Sequence, residues 1–272
     1  MMWAFRGLRN GVLTTRWPAR PDGYAASTRG PATVLAPASQ PSPPPSQNGQ
    51  ASLAGLCPAG AISQDGQGAV ALDQGRCIQC GRCVAARPDL FGWQEGPGSA
   101  ALSRTGLVVP PVAETPERLA GVRADLRART RALRRSVHLR HVDAGSDGTE
   151  EWEMLALLNP VYDIHRLGMF FTASPRHADV LLVTGAGARG MIEPLRTTYD
   201  GMPHPKVVIA VGTDAVGGGL PGSSYAAAGG IGGIVPVDVW LPGSPPSPFS
   251  ILYAVLLGLG RLPAQAEGGG TR

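Results

Sequence analysis

The second half of the chain alternates two kinds of hydrophobic segment. SVHLRHVD, DVLLVTG, KVVIAVG and IVPVDVWL are short runs rich in Val, Ile and Leu, whereas EEWEMLALLNP, MIEPLRTTYD and PFSILYAVLLGLGRL have helical spacing. Apolar strands separated by helical segments argue for a parallel sheet covered on both faces. Residues 136–262 are therefore expected to form a doubly wound α/β domain. Ahead of it, 115–135 reads as a helix, with Thr115 as N-cap, Pro116 at the first position and Glu117 in the first turn. Leu119, Val122, Leu126 and Leu133 mark its apolar stripe, and its seven arginines fit a solvated face on a connecting segment, 105–135.

Upstream the pattern breaks up. Residues 53–104 form a small glycine-rich unit that contains every cysteine. The stretch PASQPSPPPSQNGQ has no apolar periodicity from which to build a core, so 31–52 is expected to be a linker. Residues 1–30 mix Arg6, Arg9 and Arg16 with apolar positions and read as an amphipathic arm that rests on a membrane or a partner. Residues 263–272 read as a tail.

Composition narrows the classes. The 272 residues include 38 Gly and 26 Pro, close to where ordered domains give way to low-complexity segments. The 24 basic and 20 acidic residues leave +4, too slight for a nucleic-acid footprint, so no nucleic-acid partner is expected. The best apolar run, 249–262, is short and carries Gly258, Gly260 and Arg261, so no transmembrane helix is expected. The opening lacks the uninterrupted apolar core of a signal peptide, and four cysteines confined to 27 positions suit a reducing compartment. A cytoplasmic location follows as the expectation.

Those four cysteines carry the chemistry. CIQCGRC sets Cys77, Cys80 and Cys83 at C-x2-C-x2-C, the spacing at which one tight loop offers three thiolates to an iron–sulfur cube. In bacterial ferredoxins the run is C-x2-C-x2-C-x3-C-P, and the fourth cysteine of each run ligates the cluster of the other. Here the upstream run survives only as Cys57 in CPAGAI, and the downstream run has Arg87 before Pro88 where its own fourth cysteine would stand. Cys57, Cys77, Cys80 and Cys83 thus make one complete four-thiolate set, and the positions for a second cluster are vacant together. One [4Fe-4S] cluster is the expected cofactor. Four thiolates also suit a closed zinc site, usually built from two C-x2-C knuckles, and free thiols are the remaining alternative.

This region resembles the two-cluster ferredoxin-type subunits of formate hydrogenlyase and related membrane-bound hydrogenases, on GVLTTRWPARP, RGPATVL, CPAGAI and DQGRCIQCGRC over roughly 1–95. The resemblance implies a small ferredoxin-like α+β iron–sulfur module. The first three cysteines of the upstream run are missing, so one cluster is implied where those relatives carry two.

The second half, from ALLNPVYDIHRLGMFF through GTDAVGGG to VWLPGSPP, is similar to the 20 kDa (B-type) subunit of complex I and the small subunit of energy-converting [NiFe] hydrogenases. That resemblance implies a flavodoxin-like fold over about 136–262. In that family a [4Fe-4S] cluster is held by two cysteines before a helix start, one in G-S-C-A and one in P-G-C-P-P. This chain has GSDGTEEWE, GTDA and PGSPP there, so Asp147, Glu150, Asp214 and Ser244 occupy the former ligand positions. Hard carboxylates bind a soft sulfide cube poorly. The small-subunit cluster is therefore expected to be lost, leaving an empty relic, a hydrogen-bonded carboxylate group, or a site for a hard cation such as Mg2+. Carboxylates brought together without metal raise one another's pKa, so proton handling is a further expectation.

Other motifs say less. Gly185, Gly187 and Gly190 in GAGARG follow a strand, the setting of a dinucleotide-binding turn, but Pro194 would fall in the second turn of such a helix and fits better as the first residue of a later one. Asp214 is a loose candidate for the ribose-binding acid. Glu153 and Met154 match the family's helix after the cysteine pair, with a helix-surface glutamate as the plain reading. Tyr162, Asp163, Arg166 and Arg176 suit loop fixation or a partner interface, and the five histidines show no metal spacing.

The expected function is an iron–sulfur electron-transfer or assembly subunit of a complex I-like or membrane-bound hydrogenase-like oxidoreductase, catalysing nothing alone. Its expected partners are a large hydrogenase-like or complex I-like subunit and membrane subunits, which would hold it peripherally on the inner face of the cell membrane. The competing readings are a non-redox interaction subunit with a structural four-cysteine site and a nucleotide-binding oxidoreductase.

Overall fold

The computed structural model describes residues 2–35, 53–66, 68–110, 116–133 and 136–262. Thr115, most of the proline-rich stretch and the tail lie outside the described residues.

Five parallel strands form the larger sheet: β6 (Val137–Asp143), β7 (Met169–Phe171), β8 (Val180–Thr184), β9 (Val207–Val211) and β10 (Val239–Leu241), in spatial order β10-β9-β8-β6-β7. Counted within this sheet the order is 2-1-3-4-5, the flavodoxin-like winding. Every residue of β8 and β9 is buried, because helices cover both faces. On one face lie α5 (Thr149–Ala156) and α8 (Pro248–Gly258), with Met154, Leu157, Leu252 and Leu256 in a core shared with Val137, Leu182 and Ile209. On the other lie α6 (Ile192–Gly201) and α7 (Gly212–Gly217), with Leu195, Ala215 and Val216 against Leu181, Val183 and Val208. Helix α8 is buried along its whole length. Its start is fixed by Ser247, whose hydroxyl accepts the Ser250 N–H, and by Pro248 at the first helical position.

The cysteine-bearing unit has the order β1 (Arg29–Val34), α2 (Leu53–Leu56), β2 (Ile62–Gln64), β3 (Val70–Asp73), α3 (Arg82–Ala86) and β4 (Phe91–Glu95). This βαββαβ order is ferredoxin-like. Strand β1 pairs antiparallel with β4, and β2 with β3, to which β5 (Val108–Val109) adds an edge. The unit therefore reaches back to Arg29, into the segments read as arm and linker, and forward past 104. The reason is long-range pairing: RGPATV is a poor strand by pattern but is held by β4, with Ala32 against Trp93 and Val34 against Phe91. Its core is small, namely Ala32, Ile62, Val70, Leu72, Leu90, Phe91 and the side chains of Cys77 and Cys83.

Helix α4 (Pro116–Thr130) follows. Leu126 is buried and Leu133 packs against the larger core, whereas Val122 is exposed, so the expected stripe is only partly used. Arg129 is taken up by Asp125 and Asp238. Ahead of everything lies α1 (Met2–Asn10). Among the described residues no helix is long and apolar enough to cross a membrane.

The two units meet through the tight turn 74–76. A Cβ on Gly75 would strike Val216 and the Arg104 guanidinium, so only glycine permits this approach. Arg104 clamps the seam, donating to both carboxylate oxygens of Asp73 at 2.7 Å and to the Val216 carbonyl at 3.3 Å. Ala101 and Trp240 exchange backbone hydrogen bonds across the same boundary. Arg104→Ala is expected to destabilise the protein by about 2 kcal/mol, the scale of a hydrogen-bonded charged pair, in chemical denaturation. It should also expose the seam to limited proteolysis.

Candidate metal centre

The loop from Cys77 to Cys83 turns tightly because Gln79 and Gly81 both take positive φ, 55° and 76°. Glycine tolerates this at no cost, and a Cβ on Gly81 would also press on the Trp93 ring. The turn places Cys77 before the loop and Cys83 in the first turn of α3. Cys57 arrives from the other half of the repeat, just after α2, where its carbonyl accepts the Gly60 N–H. Cys77 and Cys83 are buried, Cys57 is half-buried and Cys80 is exposed.

The sulfurs are surrounded by backbone donors. The Ala61 N–H donates to Cys57 Sγ at 3.3 Å. Ala32 and Gln79 supply N–H groups to Cys77, and Val84 supplies one to Cys83. Burial pushes the Cys77 and Cys83 thiols up, and the neighbouring thiols add to this: Cys57 and Cys80 act on Cys77, and Cys77, Cys57 and Cys80 act on Cys83. All four thiols thus share one electrostatic neighbourhood. Yet among the described residues no three His, Cys, Asp or Glu side chains close up around a single-ion position. Four thiolates suit either a cube that takes one at each corner iron or a single tetrahedral ion. The resistance of Cys77 and Cys83 to ionisation is what a cationic centre would offset.

Next to this loop, through Ser244, come the four positions that the sequence resemblance expects to have held a small-subunit cluster. Asp147 is exposed, accepts hydrogen bonds from the Thr149 N–H and hydroxyl, and has its carboxyl held low by them. Glu150 is only 2% exposed. It lies against Gly212, where a Cβ would overlap its carboxyl and where φ is +90°. Burial first, then Asp214 and Asp147, push its carboxyl up to about 7. Asp214 is half-buried and raised by burial and by Asp147. Ser244 is exposed, and its N–H reaches Gln79 Oε1 of the cysteine loop at 3.5 Å. The three acids thus act on one another electrostatically, while the Ser244 backbone N–H points at the cysteine loop.

The contact between loop and pocket was invisible in the sequence. Buried Thr213 donates its hydroxyl to the Cys77 carbonyl at 3.0 Å and accepts from the Gly243 N–H at 3.2 Å. The same residue's N–H donates to the Gly243 carbonyl. The partners are 136 positions apart, and no spacing rule connects them. A second network is equally remote from any sequence pattern. Thr184, fully buried, donates to Glu151 Oε1, which also accepts the Ser146 hydroxyl at 2.9 Å, and His141 Nε2 lies 3.0 Å from the Thr184 hydroxyl. Burial lowers the His141 pKa, against the opposing pull of the neighbouring Glu151 and Asp143 carboxylates. This network ties the start of α5 to β6 and β8.

The glycines of GAGARG have structural work instead. Gly185 packs against the backbone of Gly145 and Ser146, and Gly187 against the Gly230 carbonyl. The next helix starts at Ile192, so Pro194 is its third residue, two places later than expected. Glu153 is half-buried and raised by that burial, and it lies within electrostatic reach of Tyr162. Arg166 ties down the Trp17 carbonyl.

Comparison with known proteins assigns the larger unit. The sequence profile of NADH ubiquinone oxidoreductase, 20 Kd subunit, matches residues 148–257. The probable membrane-bound hydrogenase subunit mbhJ of Pyrococcus furiosus is 40% identical over 134 residues, 49% of this chain and 80% of that protein. The chain belongs to this 20 Kd subunit family. Formate hydrogenlyase subunit 7 of Escherichia coli K12 is 38% identical over 157 residues, 58% of this chain, which spans 60% of that relative's length. Among solved structures, a chain of the membrane-bound sulfane sulfur reductase, an archaeal respiratory membrane complex, is 31% identical with a TM-score of 0.41, over 52% of this chain and 75% of that one.

Glu150 has a measurable consequence. A carboxyl that holds its proton more tightly folded than unfolded stabilises the fold below its unfolded pKa and loses that contribution as pH rises through about 7. The loss amounts to roughly 3 kcal/mol. Urea denaturation of the wild type should therefore show lower stability at about pH 8 than at about pH 5 from this residue, and Glu150→Gln should flatten that slope.

Proposed function

We propose that the chain is an iron–sulfur electron-transfer or assembly subunit of a complex I-like, membrane-bound hydrogenase-like oxidoreductase, carrying one [4Fe-4S] cluster on Cys57, Cys77, Cys80 and Cys83. The observation that carries this reading is the convergence of four thiols from both halves of a βαββαβ repeat, with backbone N–H donors on the sulfurs. The family assignment of the second unit supports the setting. A bound cluster would supply one-electron storage. The N–H groups of Ala61, Ala32, Gln79 and Val84 would spread the negative charge on the sulfurs and so favour the reduced state. The former small-subunit cluster position offers three carboxylates and a hydroxyl, which do not fit a cube, so no second cluster is assigned there.

The chain would reach the inner, cytoplasmic face of the cell membrane through its partner subunits. Trp152, 74% exposed, with Leu155 and Leu158, forms an unpartnered apolar stripe on and just beyond α5. This stripe would meet the large hydrogenase-like subunit. Charge placed there by Trp152→Asp with Leu155→Asp is expected to weaken co-purification with that subunit by at least about tenfold, while leaving the melting curve of the isolated chain in place.

Redox spectroscopy tests the cluster. Anaerobically purified protein should be brown, bleach reversibly with dithionite and give the EPR signal of a reduced cluster. Cys77→Ser and Cys83→Ser should lose both signals. A colourless protein holding one zinc would replace this reading with the structural four-cysteine site.

A further inference from the structure

The N-terminal arm is unlike the rest of the surface. Every side chain described in α1, from Phe5 to Asn10, is exposed. Phe5 is 70%, Leu8 81% and, just after the helix, Val12 85% exposed. A nine-residue helix is shorter than the roughly 12–15 residues that hold in water unaided. Buried contacts normally make up the difference, and these six residues show none among the described residues. Arg6, Arg9, Arg16 and Arg20 are exposed along the same segment, and the first acid in the sequence is Asp22. That acid is already engaged, accepting from the Thr15 hydroxyl and from the Arg16 and Tyr24 N–H groups.

The root of the arm is firmly held. The Thr15 N–H donates to the Val161 carbonyl and the Thr14 hydroxyl to the Pro160 carbonyl, both at 2.8 Å. Trp17 is buried with its ring edge-on to Phe249, 5.8 Å between centroids, and Arg166 donates to its carbonyl. The arm thus projects from a fixed point on the α/β unit with its apolar groups uncovered.

We propose that this arm binds an anionic lipid bilayer directly. Phe5, Leu8 and Val12 would sit at the acyl boundary, with Arg6, Arg9, Arg16 and Arg20 at the lipid phosphates. Charge complementarity selects this occupant: four guanidiniums without an interspersed acid, beside uncovered apolar side chains, are the composition of an interfacial segment. Long arginine stems reach the phosphates while their neighbours insert. This goes beyond the proposed function, which brings the chain to the membrane only through other subunits, and it is independent of the cysteine site.

The test is flotation of the full chain with vesicles of phosphatidylglycerol and phosphatidylcholine, against phosphatidylcholine alone, with iron content recorded in each fraction. The chain should float with the anionic vesicles and come off as salt is raised. Arg6→Gln with Arg9→Gln should weaken partitioning about thirtyfold, and Phe5→Ala with Leu8→Ala at least about tenfold. Both variants change exposed side chains only, so circular dichroism should match the wild type. Failure to float overturns the proposal, as does flotation that the arm variants leave unchanged. Protection of the arm from protease by partner subunits but not by anionic vesicles overturns it in favour of a protein contact. None of these outcomes alters the iron count, so the cluster reading stands or falls separately.

Discussion

One buried hydroxyl, that of Thr213, ties the cysteine loop to the larger sheet unit through two hydrogen bonds. The Thr213 hydroxyl joins the Cys77 carbonyl, at the start of the cysteine loop, to the Gly243 N–H, next to Ser244. Around it, Gly75 allows the ferredoxin-like unit to approach Val216 without a side chain between them, and Arg104 closes the seam. A small unit with few core residues is poorly placed to hold a precise loop alone. Here the loop leans on the rigid sheet of its neighbour, whose strands β8 and β9 are wholly buried.

The same junction gives the carboxylate pocket its character. Glu150 lies against Gly212, and burial together with the nearby charges of Asp214 and Asp147 pushes its carboxyl up to about 7. Asp147 behaves oppositely because it is exposed and receives two hydrogen bonds from Thr149. Two groups of one residue class, in one pocket, are thus driven apart by solvent access and hydrogen bonding.

Much of this was legible from residue order. The Val- and Ile-rich runs announced the doubly wound sheet, because strands covered on both faces must be apolar throughout. The C-x2-C-x2-C spacing with Cys57 pointed to one thiol set, and the fold places those four side chains in one electrostatic neighbourhood. Other features were hidden for physical reasons. Strand β1 contains Gly30 and Pro31 and is a strand only because β4 pairs with it. The glycines of GAGARG mimic a phosphate-binding turn, yet their role is close packing of loops whose partners are distant in sequence. The Thr213 link and the Glu151 network join residues that no local pattern relates.

The account turns on four thiols from two halves of one repeat gripping a single inorganic centre. Iron and acid-labile sulfide determined per chain after anaerobic purification address it most directly. Four irons and four sulfides per polypeptide are predicted. Eight of each, or cysteines that all titrate as free thiols in metal-free protein, would contradict it.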